Sequence, residues 1–135
     1  MRGVLDPNIL IAALISPHGA PAHMVSSWLA GDFELVVSET LLGELERALA
    51  YPQLRTRVAS GQAAEFVALL RHGAILARDP APARRSSDPG DDYLLALAES
   101  ERAVLVSGDQ HLLELAGTLP IQTARAFLDK LGRSG

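Results

Sequence analysis

Two short apolar runs, Gly3-Val4-Leu5 and Ala103-Val104-Leu105-Val106, lead into aspartates, Asp6 and Asp109, and each aspartate leads into a helical pattern. A third acidic position, Asp91 or Asp92, opens the helical pattern that precedes the second run. Carboxylates brought within about 4–6 Å of one another raise each other's pKa and cost stability. A hard cation such as Mg²⁺ or Mn²⁺ relieves that repulsion. It accepts a few carboxylates and keeps several waters, one of which can become the hydroxide that attacks a phosphodiester. Each aspartate taken alone also reads as an ordinary helix N-cap, so the chemistry depends on whether the chain brings the acids together.

The elements that would do so alternate between strand and helix. Asp6 ends a buried strand and caps a helix carrying Pro7 at its first position, where the missing N–H costs nothing. After the break Ser16-Pro17-His18-Gly19-Ala20-Pro21, a second helix spans Ala22 to Ala30, and Phe33 to Val37 form a second buried strand. Ser38 is placed to cap a third helix, whose Leu41, Leu42, Leu45, Ala48 and Leu49 recur at helical spacing up to Tyr51-Pro52. Residues 53–72 read as a small helical arm, and Gly73 to Ala77 as a short strand. The Pro-, Ser- and Ala-rich residues 79–90 read as a mobile loop. It feeds the helix Tyr93–Glu99, the strand ending before Ser107-Gly108-Asp109, a helix through Leu112, Leu113 and Leu115, a last strand Leu119–Gln122, and a closing helix capped by Thr123.

This alternation predicts a three-layer α/β/α domain with a mainly parallel central sheet, a single domain spanning residues 1–135. Crossovers in a parallel sheet return every strand in the same direction, so Asp6 and Asp109 fall at one carboxyl edge, where ligands of open α/β sheets bind. The helix opening at Asp91-Asp92 starts near the same edge. Glu44 is a fourth candidate, but periodicity barely separates it from Glu46: each lies roughly 100° from the centre of the Leu41/Leu45/Leu49 face.

Composition narrows the classes. No apolar run approaches the ~20 residues of a membrane span, no secretory signal is evident at Met1-Arg2, and the chain has no cysteine, which fits a reducing, cytoplasmic setting. The formal net charge of −4 argues against general attraction to phosphate backbones. Any nucleic-acid affinity would need a local patch, for which Arg84 and Arg85 in the mobile loop are candidates.

Taken together, Val4-Leu5-Asp6-Pro7-Asn8, Ser38-Glu39-Thr40-Leu41-Leu42-Gly43-Glu44-Leu45, Asp88-Pro89-Gly90-Asp91-Asp92 and Val106-Ser107-Gly108-Asp109 resemble, in order and spacing, the PIN-domain ribonucleases, specifically the VapC-like toxins of toxin–antitoxin pairs. The resemblance covers almost the whole chain. It implies a PIN-like fold and a divalent-metal-dependent endoribonuclease using Mg²⁺ or Mn²⁺. It places the four acids on Asp6, Glu44, Asp91 (with Asp92 as its substitute) and Asp109. Asn8, Ser38 and Ser107 fall at positions that support those acids. An RNA substrate, a cognate antitoxin of a type II pair and a homodimer are the partners it implies. Where relatives often carry a threonine after the first aspartate, this chain has Pro7.

Other chemistries fit less well. A haloacid-dehalogenase-type site needs a second aspartate where Asn8 stands, and a receiver domain needs a late-strand lysine, whereas the lone lysine is Lys130 in the closing helix. His18, His23, His72 and His111 lack metal-ligand spacing, and neither a dinucleotide nor a P-loop motif is present. Trp28 reads as core or dimer face rather than a base-stacking ring. The non-enzymatic alternative is a catalytically silent PIN-like binding or scaffold module.

Overall fold

The chain begins with a strand, β1 (Arg2–Leu5), whose Val4 and Leu5 are buried, and the other elements of the sheet are laid down around it. In the computed structural model the described residues are 1–80, 92–116 and 119–134. Most of the expected mobile loop lies outside them, including Arg84 and Arg85, and so does Asp91. Asp79, at the start of that stretch, is fastened: its Oδ2 accepts a 3.0 Å hydrogen bond from the backbone N–H of Thr40.

From β1 the chain passes through α1 (Pro7–Ile15) and α2 (Ala20–Leu29) to β2 (Glu34–Ser38), then through α3 (Glu39–Leu49), α4 (Pro52–Arg55) and α5 (Ser60–Gly73) to β3 (Ile75–Ala77). It resumes with α6 (Asp92–Ser100), β4 (Val104–Val106), α7 (Gln110–Leu113), β5 (Ile121–Gln122) and α8 (Ala124–Ser134). The strand order is β3-β2-β1-β4-β5, and every pairing is parallel. Strands are added on one side of β1, then the chain crosses back and adds the rest on the other. The order therefore reverses between β1 and β4. Right-handed crossovers put α1 to α5 on one face and α6 and α7 on the other, which agrees with α6 packing on β1 and β4 while α1, α3 and α5 pack in series.

The caps expected from sequence form. Pro7 sits at the start of α1, Ser38 Oγ accepts from Leu41 N at 3.3 Å, and Thr123 Oγ1 accepts from Ala126 N at 3.1 Å. The last turn of the expected helix after Asp109 does not continue as α-helix beyond Leu113. The residues read as a helical arm are tied to the body: Phe66, Val67 and Leu70 of α5 join the same buried cluster as Leu41, Leu45 and the strands. Trp28 is buried as well, and a Cβ on Gly73 would sit 3.3 Å from its ring, so its stacking face is taken by α5. Among the described residues no single helix is long and apolar enough to cross a membrane. Only α1 and α2 taken together pass that test, across a 97° bend.

Candidate active site

The register between β1 and β4 decides what meets at the carboxyl edge. Gly3 pairs with Val104, Val4 with Leu105 and Leu5 with Val106, so the next residues, Asp6 and Ser107, emerge side by side. Asp6 N donates to Val106 O at 3.0 Å, which carries the ladder one step past the end of β1. This is the point where the strand order reverses, the crevice that open α/β sheets leave free for ligands.

Both oxygens of the Asp6 carboxylate have a donor. The backbone N–H of Asn8, in the first turn of α1, donates to Oδ1 at 2.9 Å, and Ser107 Oγ donates to Oδ2 at 2.8 Å. Ser107 Oγ in turn accepts from Asp109 N at 3.0 Å, while Asp109 Oδ1 caps α7 by accepting from His111 N at 2.8 Å. A single buried hydroxyl thus links the two strand-end acids. Asn8 supports Asp6 through its backbone. Ser38 is fully buried with its hydroxyl capping α3, so it acts on the site by fixing the helix that carries Glu44.

Asp6 is only 4% exposed. Burial pushes its carboxyl above the ordinary carboxylate range. The hydrogen bonds from Asn8 and Ser107 pull it back in part, and the negative charge of Asp109 pushes it up further. No ion pair reaches Asp6 among the described residues. Its environment is therefore one that a bound cation would relieve.

Glu44 and Glu46 line different cavities. Glu44 lines a cavity of about 240 Å³ together with Asp6, Pro7 and Asn8. Glu46 lies 3.6 Å from Arg71, which also pairs with Glu39, and lines a separate cleft between α3 and α5. Glu44 is held at 2.6 Å by Arg47, one turn further along α3. Asp92 is buried, 3% exposed, at the first position of α6, directly before Tyr93, which lines the Asp6 cavity.

The donor set of Asp6, Glu44 and Asp109 is all oxygen, the set that suits a hard divalent ion which keeps several of its waters. Among the described residues no three acidic or histidine side chains are gathered closely enough to hold a metal by themselves. Asp91, the acid expected to complete the set, is not among them. Three residues of the cavity wall were not singled out from sequence: Arg47, Tyr51 and Tyr93. For Arg47 the signal was available, since it follows Glu44 at i+3 on the side of α3 away from its leucines.

Comparison with known proteins follows the same lines. Residues 2–111 match the family model of the PIN domain. No curated protein sequence matches the chain. Among solved structures, VapBC2 from Rickettsia felis, bound to a DNA fragment from their promoter, is similar with a TM-score of 0.62 at 15% identity, over 91% of this chain and 98% of that one. FitAcB from Neisseria gonorrhoeae is similar with a TM-score of 0.57 at 16% identity, over the same 91% and 98%. At such identities the likeness is one of fold.

Proposed function

We propose, from the premise that this chain belongs to the PIN-domain family, that it is a divalent-metal-dependent endoribonuclease and the toxin of a type II toxin–antitoxin pair. The observation that carries this reading is the hydrogen-bonded series Asp6–Ser107–Asp109 at the reversal of strand order, with Glu44 facing Asp6 in one cavity. A VapC-like fold supports the toxin assignment.

Asp6, Asp109 and Asp91, with Asp92 as the substitute for Asp91, would hold Mg²⁺ or Mn²⁺ directly or through water. When bound, the ion supplies water activation and neutralises charge developing on the phosphate. The chain's own groups do the rest. Ser107 and the Asn8 amide hold the Asp6 carboxylate through both of its oxygens, at the edge of the cavity that Asp6 lines. Glu44, which lines the same cavity and is half exposed, would orient the attacking water and take its proton, or complete a second metal position. Arg84 and Arg85 would contact RNA phosphates.

The partners proposed are an antitoxin segment laid over the acidic edge and a second copy of the chain. The deciding experiment is Mn²⁺ binding and RNA cleavage by the wild type, Asp6→Asn and Asp109→Asn. Cleavage that requires the metal and is lost in both variants, with the circular dichroism spectrum kept, is the expected result. Full activity in either variant overturns the assignment, and a wild type that neither takes up Mn²⁺ nor cuts RNA is a binding or scaffold module instead.

A further inference from the structure

The cleft between α3 and α5 takes no part in the reaction proposed above, and its lining is of another kind. Its volume is about 370 Å³, within the range of about 300–1,000 Å³ usual for small-molecule sites. Ala50, Ala63, Ala64 and Ala68 line it together with the buried Leu49 and Val67. Along α5 the lining runs from Ser60 to His72, a length of roughly 18 Å at 1.5 Å per residue. The space is therefore elongated, apolar and walled by small side chains. Both helices beside it are fixed, α5 through Phe66, Val67 and Leu70 and α3 through its buried leucines.

Charge in the cleft is not balanced from within. Arg71 has its counter-ions, since it pairs with Glu39 and lies 3.6 Å from Glu46, both on α3. Arg55, the last residue of α4, also lines the cleft, is exposed, and has no ion-pair partner among the described residues. Its backbone is held on both sides. Arg55 N donates to Tyr51 O at 3.1 Å, and the buried Val58 donates from N to Leu54 O at 2.8 Å. The chain thus carries an unpaired guanidinium from an anchored turn at an apolar trough.

We infer that this cleft binds a small monoanion with a slim apolar body, the class of a medium-chain carboxylate, with Arg55 on the carboxylate and the hydrocarbon along the alanines of α5. One uncompensated guanidinium sets the charge of the ligand at one, and its planar fork matches a carboxylate. The apolar lining and the length of the cleft set the rest. The inference is independent of the ribonuclease reading, because neither Asp6, Glu44 nor Asp109 lines this cleft.

The test titrates the protein with 1-anilinonaphthalene-8-sulfonate, an apolar monoanion whose fluorescence rises away from water, and displaces it with octanoate, decanoate, decanol or decyltrimethylammonium. The wild type is expected to bind one dye per chain. Decanoate should displace it better than octanoate, by roughly three- to fourfold for each methylene, and the ammonium compound should not compete. Arg55→Ala weakens decanoate roughly tenfold with decanol unaffected, and Arg55→Lys recovers most of the loss. Ala64→Trp and Ala68→Trp, at exposed positions of α5, fill the cleft and abolish dye binding, with the circular dichroism spectrum and thermal midpoint kept. Dye binding unchanged in both tryptophan variants overturns the inference, as does equal displacement by the carboxylate and the ammonium. A wild type that binds neither dye nor decanoate overturns it too and leaves the cleft to a polypeptide, with the ribonuclease reading untouched.

Discussion

Ser107 reaches back 101 residues in sequence to donate a 2.8 Å hydrogen bond from its hydroxyl to Oδ2 of Asp6. The parallel register of β1 and β4 makes them neighbours, and the same hydroxyl accepts from the backbone of Asp109. Ser107, distant in sequence, therefore shares with the Asn8 amide in positioning the buried acid and in lowering its raised pKa.

Ser107→Ala removes both bonds from a fully buried position. A hydrogen bond to a charged group, here the Asp6 carboxylate, contributes about 1.5–3 kcal/mol and a neutral one, here from the Asp109 amide, about 0.5–1.5 kcal/mol, and loss of such a supporting group typically lowers metal affinity about 10- to 100-fold. Ser107→Ala is expected to bind Mn²⁺ at least tenfold more weakly in calorimetric titration, with a lower thermal midpoint. Unchanged affinity would show that Asp6 is held by α1 alone.

The burial of Asp6 sets a pH dependence whose sign can be worked out. Its folded-state pKa is raised from an ordinary value near 3.8, so the native state holds the proton to higher pH than the unfolded chain. Its contribution to stability is complete below about pH 4 and is lost as pH climbs through the raised value. Without metal, Asp6→Asn is therefore expected to be at least as stable as the wild type near neutrality, and to lose this part of the pH dependence. With Mn²⁺ the order reverses, because only the wild type gains the ion. Thermal midpoints between pH 4 and 8, in EDTA and in Mn²⁺, measure both.

The core beneath the site makes a plainer prediction. Phe127 of α8 is fully buried, meets Phe33 edge-on at 5.0 Å between ring centres, and lies against Gly3 of β1, where an added Cβ would come within 3.4 Å of both rings. Phe127→Ala is expected to cost about 3–5 kcal/mol in urea unfolding, although the residue lies outside the candidate site. A loss under about 1 kcal/mol would mean that α8 is not integral to the sheet's support.

Much of this was legible in the sequence, for identifiable reasons. Strand runs ending in aspartate, the Ser38 cap and the leucine spacing of α3 are local signals, and each formed the element expected. The alternation of strands and helices implied parallel order, and parallel order placed Asp6 and Asp109 at one edge. Glu44 could not be chosen over Glu46 by periodicity because both flank the buried leucine face. What separates them is that Glu44 lines the Asp6 cavity while Glu46 lies beside Arg71 from α5, which is a tertiary fact. Tyr51 reads in the sequence only as the end of the third helix, and it is the fold that shows it exposed and lining the cavity of Asp6 and Glu44.

Arg47 gives two expectations of opposite sign. Its guanidinium pairs with Glu44 inside the cavity proposed to take a divalent cation, so the two positive charges would compete for one carboxylate. Both partners are largely exposed and water screens the pair, which limits its contribution to stability to at most about 1 kcal/mol. Arg47→Ala should therefore leave the thermal midpoint almost unchanged and raise Mn²⁺ affinity a few-fold, because Glu44 is released and a like charge removed. RNA binding should weaken in the same variant, since the cavity loses a basic side chain. Tighter metal with weaker RNA is a combination that general damage to the site does not produce. A variant in which both affinities fall together would place Arg47 among the groups that only shape the cavity.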